Sequence, residues 1–191
     1  MSRKIAVLVG SLRKGSLNRK VAEAVALAAP GGLEFSFVEI GDLPFFDQDL
    51  EGAPPAQWVR FRDQIRAADA VLFVTPEYNR SVPGVLKNAI DVGSRPYGQS
   101  VFNGKPAAVI SASMGAIGGF GANHHLRQSL AFLNMPTLPS PETYIGVAHE
   151  LFDEAGALKN EQTRAFLTQF AGAFAGWTET QLGKSEARIA A

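Results

Sequence analysis

Short apolar runs and longer amphipathic stretches alternate along this chain. Ile5–Val9 is apolar throughout, as suits a strand covered by helices on both faces. Asn18–Ala28 then places Val21, Ala24, Val25 and Ala28 on one helical stripe, and Pro30-Gly31-Gly32 ends it. Leu33–Ile40 alternates, with Leu33, Phe35, Phe37 and Glu39 in phase against Glu34, Ser36 and Val38, and reads as a second strand. Residues 41–56 carry Gly41, Pro44, Gly52, Pro54 and Pro55 and read as a loop. Trp58–Ala68 has helical spacing through Val59, Arg62, Ile65 and Arg66. Ala70–Val74 is a third buried strand, stopped at Thr75-Pro76, and Val82–Gly93 is a helix with Pro83 near its first turn, where a missing N–H is harmless. Ala107–Ser111 is a fourth strand, and His124–Leu133 a helix behind a glycine-rich turn. A fifth strand is expected among Pro136, Pro139 and Pro141. Gln162–Leu182 is the last helix, with Phe166, Phe170, Phe174 and Trp177 as its core stripe, and Gly183–Ala191 reads as a frayed tail.

This alternation predicts one α/β domain over residues 1–191, a doubly wound, five-stranded parallel sheet with helices on both faces. Ligands on such sheets sit at the carboxyl ends of the strands, near the switch in strand order. Three unusual segments fall at strand ends, at residues 10–18, 75–79 and 111–121, and are expected to converge.

Composition narrows the function. Apolar residues make up 46% and charged residues 19%, an ordinary balance for a packed core. Zero net charge argues against a nucleic-acid partner and removes one barrier to self-association. The absence of cysteine excludes disulfides, thiol nucleophiles and Cys-ligated zinc or iron–sulfur clusters. The apolar run after Arg3-Lys4 is too short for a secretion signal, and no stretch approaches the ~20 apolar residues of a membrane span. A cytoplasmic protein without a membrane partner is expected.

The first of the three segments is Gly10-Ser11-Leu12-Arg13-Lys14-Gly15-Ser16-Leu17-Asn18. It joins a buried strand to a helix whose free N–H groups and positive dipole end point back at it. Ser11, Ser16 and Asn18 add short polar side chains, and Arg13 can give paired charge-assisted bonds to phosphate oxygens. The plainer alternative is a solvated turn in which Ser16 or Asn18 only caps the helix. A triphosphate loop is disfavoured because Ser16 follows Gly15 without the required lysine, and the spacing is not that of a pyrophosphate-binding turn. The second segment, Thr75-Pro76-Glu77-Tyr78-Asn79, can present backbone amides and a ring to a planar ligand, or be an ordinary connection. The third, Ser111 to Gly121, has glycines that let the backbone approach a ligand closely, or that leave the loop mobile. Its spacing lacks a hydrolase nucleophile elbow at Ser113.

Taken in order, Gly10 to Ser16 with Asn18, Thr75-Pro76-Glu77-Tyr78-Asn79 continuing through Ser81-Val82-Pro83-Gly84 and Leu86 to Asp91, and Ser113-Met114-Gly115 with Gly118-Gly119 and His125-Leu126-Arg127-Gln128 resemble the NADPH-dependent FMN reductase family. The closer likeness is to its quinone and chromate reductase branch, over roughly residues 4–175. The resemblance implies a flavodoxin-like fold with non-covalent FMN and NADPH or NADH as co-substrate. It places the FMN phosphate on Ser11, Arg13, Ser16 and Asn18, with Leu17 among the cofactor-binding residues. Pro76, Glu77, Tyr78 and Asn79 would line the flavin largely through backbone groups, with Ser113, Met114 and Gly115 on the other side. It further implies ping-pong hydride transfer to flavin N5 and on to quinones or other small acceptors, such as chromate, azo compounds, ferric chelates or free flavin. A homodimer or homotetramer is implied as well. The flavin carries the chemistry, so no catalytic side chain and no metal is expected.

Other residues receive plainer assignments. Adjacent His124 and His125 cannot share a helix face and suit surface or interface packing. Asp47, Asp49 and Glu51 read as a solvated acidic loop, and Phe45, Phe46 and Phe120 as core or contact residues or the edge of a substrate mouth. Arg80 or Arg95 could favour a 2′-phosphate. The competing functions are an electron-carrying flavodoxin, against which zero net charge speaks, and a flavin-binding sensor.

Overall fold

Ile5 to Val9 offer no polar side chain to water, and they form the buried part of β1 (Arg3–Val9). The computed structural model describes residues 2–189, with side chains through residue 184. Around β1 lie β2 (Leu33–Phe37), β3 (Ala70–Thr75), β4 (Ala107–Ala112) and β5 (Thr143–Ile145), all parallel, in the order β2-β1-β3-β4-β5. The order reverses between β1 and β3, which opens a crevice at their carboxyl ends.

The period of two along each strand sorts side chains between two cores. Ile5, Val7, Leu72, Val74 and Ile110 face α1 (Leu17–Ala28) and α5 (Glu161–Ile189). Ala6, Leu8, Val71, Phe73 and Val109 face α2 (Ala56–Arg66), α3 (Gly84–Ser94) and α4 (Phe120–Phe132). Both faces are covered, which explains the unbroken apolar runs of β1, β3 and β4.

Some boundaries differ from the sequence expectation. The buried face of α2 is Trp58, Phe61 and Ile65, whereas Val59 is 42% exposed. β2 ends at Phe37, although the Val38 N–H still bonds the Val7 carbonyl. α4 begins at Phe120 and not at His124, because Gly118 and Gly119 complete the turn. α5 continues past Gly183 to Ile189, so the expected frayed tail is helical over that span; residues 190 and 191 lie outside the described residues. On α5, Phe170 and Phe174 are fully buried, with Phe166 and Trp177 packed at their margin. Among the described residues no helix is long and apolar enough to cross a membrane.

Candidate functional site

The three segments expected to converge do so at the carboxyl end of the sheet. Gly10 leaves β1 with its N–H on the Val74 carbonyl at 2.9 Å. A Cβ there would lie 3.1 to 3.3 Å from Leu86, Thr75 and Pro76, so the first loop passes tightly against the end of β3. The chain turns at left-handed Gly15, and buried Ser16 caps α1, its Oγ accepting from the Arg19 N–H at 3.2 Å. Capping and anion binding are compatible here, because one hydroxyl satisfies one amide and leaves other first-turn N–H groups free. Leu17 turns its side chain into the α1–α5 core, so only its backbone faces the loop. Asn18 is 4% exposed and spans the site, its Nδ2 donating to the Ala112 carbonyl at 3.1 Å. Its Oδ1 is enclosed without a partner, an acceptor that suits a ligand hydroxyl. Ser11 is half-buried, while Arg13 and Lys14 are exposed and have no side-chain partner among the described residues. An FMN-sized monophosphate nucleotide fits this set: cations and amides for its phosphate, and an orphaned acceptor for its sugar.

After β3, Tyr78 and Ser81 exchange two backbone hydrogen bonds at 3.1 and 3.0 Å. Asn79 (φ 53°) and Arg80 (φ 62°) between them are left-handed, a type I′ turn built without glycine. Non-glycine residues in that region carry strain, which is sustained when the surroundings fix them. Glu77 does so. Its side chain is 12% exposed, and Oε1 accepts from Arg80 Nη1 at 3.0 Å. Its Oε2 accepts from the Ala122 N–H at 2.9 Å, in the first turn of α4. The carboxylate therefore faces the protein and leaves backbone groups for a flavin. Ser81 Oγ and His125 Nδ1 lie 2.8 Å apart and tie the same turn to α4.

The β4–α4 loop forms the opposite wall. Ser113 Oγ is already used by the Gly115 N–H at 3.1 Å, and the Ser113 N–H bonds the Ile145 carbonyl at 2.9 Å. Met114 is exposed. Gly118 and Gly119 are both left-handed, and a Cβ on Gly118 would lie 2.7 Å from the Tyr144 carbonyl carbon. Only glycine permits this approach. Phe120, His124 and Tyr144 form a ring cluster beside the loop, with His124 Nε2 and Tyr144 Oη 2.8 Å apart. Burial, reinforced by Glu142, pushes the Tyr144 phenol up to about 12.

The two histidines take separate partners, as adjacent helical positions require. Phe45 is exposed, whereas Phe46 leaves the mouth and stacks on Trp58 with ring centres 5.6 Å apart. Sequence reasoning missed the bridge from Asn18 to Ala112, the remote cap from Glu77 and the Tyr144–His124 contact. Only the paired polar positions at Ser16 and Asn18 gave a local signal.

A sequence model of the NADPH-dependent FMN reductase family matches residues 3–150. A quinone reductase of Pseudomonas putida is 63% identical over 176 residues, 92% of this chain and 94% of its own length. A 2-hydroxy-1,4-benzoquinone reductase of a Burkholderia species is 48% identical over 177 residues, 93% of this chain and 97% of its own. Among solved structures, the flavoenzyme NAD(P)H:(acceptor) oxidoreductase FerB of Paracoccus denitrificans superposes with a TM-score of 0.89 at 45% identity, covering 94% of this chain and 98% of that one. With its flavodoxin-like strand order and a monophosphate-sized site at the switch point, the chain belongs to the NADPH-dependent FMN reductase family.

Proposed function

We propose that this enzyme uses NAD(P)H to reduce quinones through FMN held without a covalent bond. The observation that carries the reading is the bridge from buried Asn18 to the Ala112 carbonyl, which ties the phosphate loop to the flavin-side loop and leaves Asn18 Oδ1 unpartnered inside the site. The quinone is inferred from the names of the relatives; chromate, azo compounds, ferric chelates and free flavin are further acceptors that an open site would admit.

Bound FMN would supply the hydride chemistry, and the chain supplies its position and electrostatics. The first-turn N–H groups of α1, with Ser11, Ser16 and Arg13, hold the phosphate dianion. Backbone groups of Pro76 to Asn79 and of Ser113 to Gly115 would flank the ring, stiffened by the Glu77 contacts and the Tyr78–Ser81 turn. Fixed backbone donors there would stabilise negative charge on the ring without reorganising. No side chain is assigned as acid or base.

Arg13→Ala is expected to weaken FMN binding by about 1.5–3 kcal/mol, the range for a hydrogen bond to a charged group. Fluorescence titration of the apoprotein measures it, and unchanged affinity removes Arg13 from the site. Many turnovers of NADPH with a quinone distinguish the enzyme from a carrier or sensor. The proposal places the protein in the cytoplasm as a homodimer or homotetramer. A groove of about 870 Å³ between α3 and α4, bordered by Tyr97 and Phe132 at 89% and 88% exposure, supports self-association.

A further inference from the structure

A separate groove lies between α2 and α3, outside the three flavin-side loops. It encloses about 290 Å³ and is lined by Phe46, Trp58, Arg62, Arg66 and Arg95, with Glu51 beside them. Its aromatic wall is held rigidly. The rings of Phe46 and Trp58 stack at 23°, and Trp58 Nε1 donates to the Pro44 carbonyl at 2.9 Å. The Phe46 N–H donates to Asn88 Oδ1 at 2.8 Å, while Asn88 Nδ2 holds the Leu43 and Pro44 carbonyls, each at 3.2 Å. The loop carrying Phe46 is thus strapped to α3.

Charge in this groove is poorly matched by the protein itself. Arg62 is half-buried, and its guanidinium donates to the Gln99 carbonyl at 3.3 Å. Burial first, and nearby Arg66 second, hold its pKa below the ordinary arginine value. Arg66 is engaged by Asp63 at 2.6 Å, but the Arg95 guanidinium makes no salt bridge among the described residues and lies 5.9 Å from the Phe46 ring centre. Glu51 Oε1 is enclosed and lacks a hydrogen-bond partner. An aromatic ring for stacking, two under-used guanidiniums and one unsatisfied acceptor together describe a planar base with an amino donor that also carries a phosphate. Adenosine phosphate has these features.

We propose that this groove binds the adenosine end of the nicotinamide co-substrate, with the base on the half-buried Phe46 ring, which core Trp58 backs, and the 2′-phosphate between Arg62 and Arg95. The inference rests on the proposed function for the identity of the dinucleotide. α3 starts directly after the flavin-side loop of β3, and its 11 residues carry the chain to Arg95, about 16 Å away at the helical rise. The groove therefore lies beside the last turn of α3 and beyond it, from Val92 to Gln99, a distance from the flavin-side loop that an extended dinucleotide can span. NADPH is accordingly preferred over NADH.

Calorimetric titration of the FMN-loaded, full-length protein with adenosine 2′,5′-bisphosphate and with 5′-AMP tests the assignment. The bisphosphate is expected to bind at least tenfold more tightly than 5′-AMP. Arg62→Gln with Arg95→Gln should weaken bisphosphate binding at least tenfold and leave FMN affinity unchanged. Exposed Arg95→Gln alone, expected to cost several-fold, keeps the test decisive if the double variant does not fold. Failure of the wild type to bind the bisphosphate, or equal affinity in wild type and folded variants, overturns the assignment. FMN retention without bisphosphate binding overturns the groove alone and leaves the proposed function standing. Binding that the substitutions abolish, in protein that takes up no FMN, supports the groove and overturns the proposed function.

Discussion

α1 and α4 both begin at the carboxyl end of the sheet and both border the site, yet they are started in opposite ways. α1 is capped from within its own loop, where Ser16 accepts the Arg19 N–H three residues on and the Ser16 N–H bonds the Arg13 carbonyl. α4 starts at left-handed Gly119, which has no capping side chain. Its first turn is satisfied instead by Glu77, 45 residues earlier, and braced by Tyr144, 20 residues after His124. The phosphate loop can thus form from local interactions once β1 is buried. The glycine loop depends on β3 and β5 being in place already. A cofactor phosphate meets a surface shaped by neighbours in sequence, and a flavin ring meets one shaped by the assembled sheet.

The strongest way to break this contrast is to place the same methyl group in both loops. Gly15 and Gly118 have nearly the same φ, 68° and 66°. A Cβ on Gly15 meets nothing within 4 Å, while one on Gly118 meets the backbone of Tyr144 and Ile145 at 2.7 to 2.9 Å. Gly118→Ala combines backbone strain with overpacking and is expected to cost about 2–4 kcal/mol. Gly15→Ala carries only the strain, about 1–2 kcal/mol. Urea denaturation of the two variants measures the gap; equal losses would show that both loops are locally determined. Next in size is Glu77→Ala, which strands the Ala122 N–H and frees Arg80, at about 1–3 kcal/mol. Ser16→Ala should cost about 1 kcal/mol as a local cap. It should also weaken FMN binding, whereas Glu77→Ala should chiefly raise hydrogen exchange over residues 113–121.

This contrast also explains what could be read from the sequence. The alternation of apolar strands and amphipathic helices was legible because the two faces of β1, β3 and β4 are buried by helices throughout. Ser16 and Asn18 were legible because a cap and its helix are contiguous. The buried face of α2 was misjudged because Trp58 and Val59 are adjacent apolar residues, and their neighbours allow two stripes one residue apart; the larger ring takes the core. Glu77 is expected to line the flavin largely through its backbone; where its carboxylate goes depends on Ala122, a contact across β3 and α4 that no local spacing encodes. The α2–α3 groove draws on residues from the loop after β2, from α2 and from the end of α3, so no single motif announces it. Glu51 accordingly read as part of a solvated acidic loop.

The gentlest probe of the remote fastening is alkaline pH. The Tyr144 phenol is pushed up from 10.0 to about 12, first by burial and then by the Glu142 carboxylate, with Arg127 opposing, and its Oη contacts His124 Nε2 at 2.8 Å. A folded-state pKa above the unfolded value means that the unfolded chain loses this proton first. The phenol's contribution is therefore fully present below pH 10 and is lost as pH rises through about 12. Because Tyr144 contacts α4 and abuts Gly118, that loss should fall on the 113–121 loop before the 10–18 loop. Tyrosinate absorbance should show one late-titrating phenol that disappears in Tyr144→Phe. The same variant should flatten the decline of stability between pH 10 and 12. An unchanged decline in Tyr144→Phe would mean that the aromatic packing of Phe120, and not the protonated phenol, holds α4 against β5.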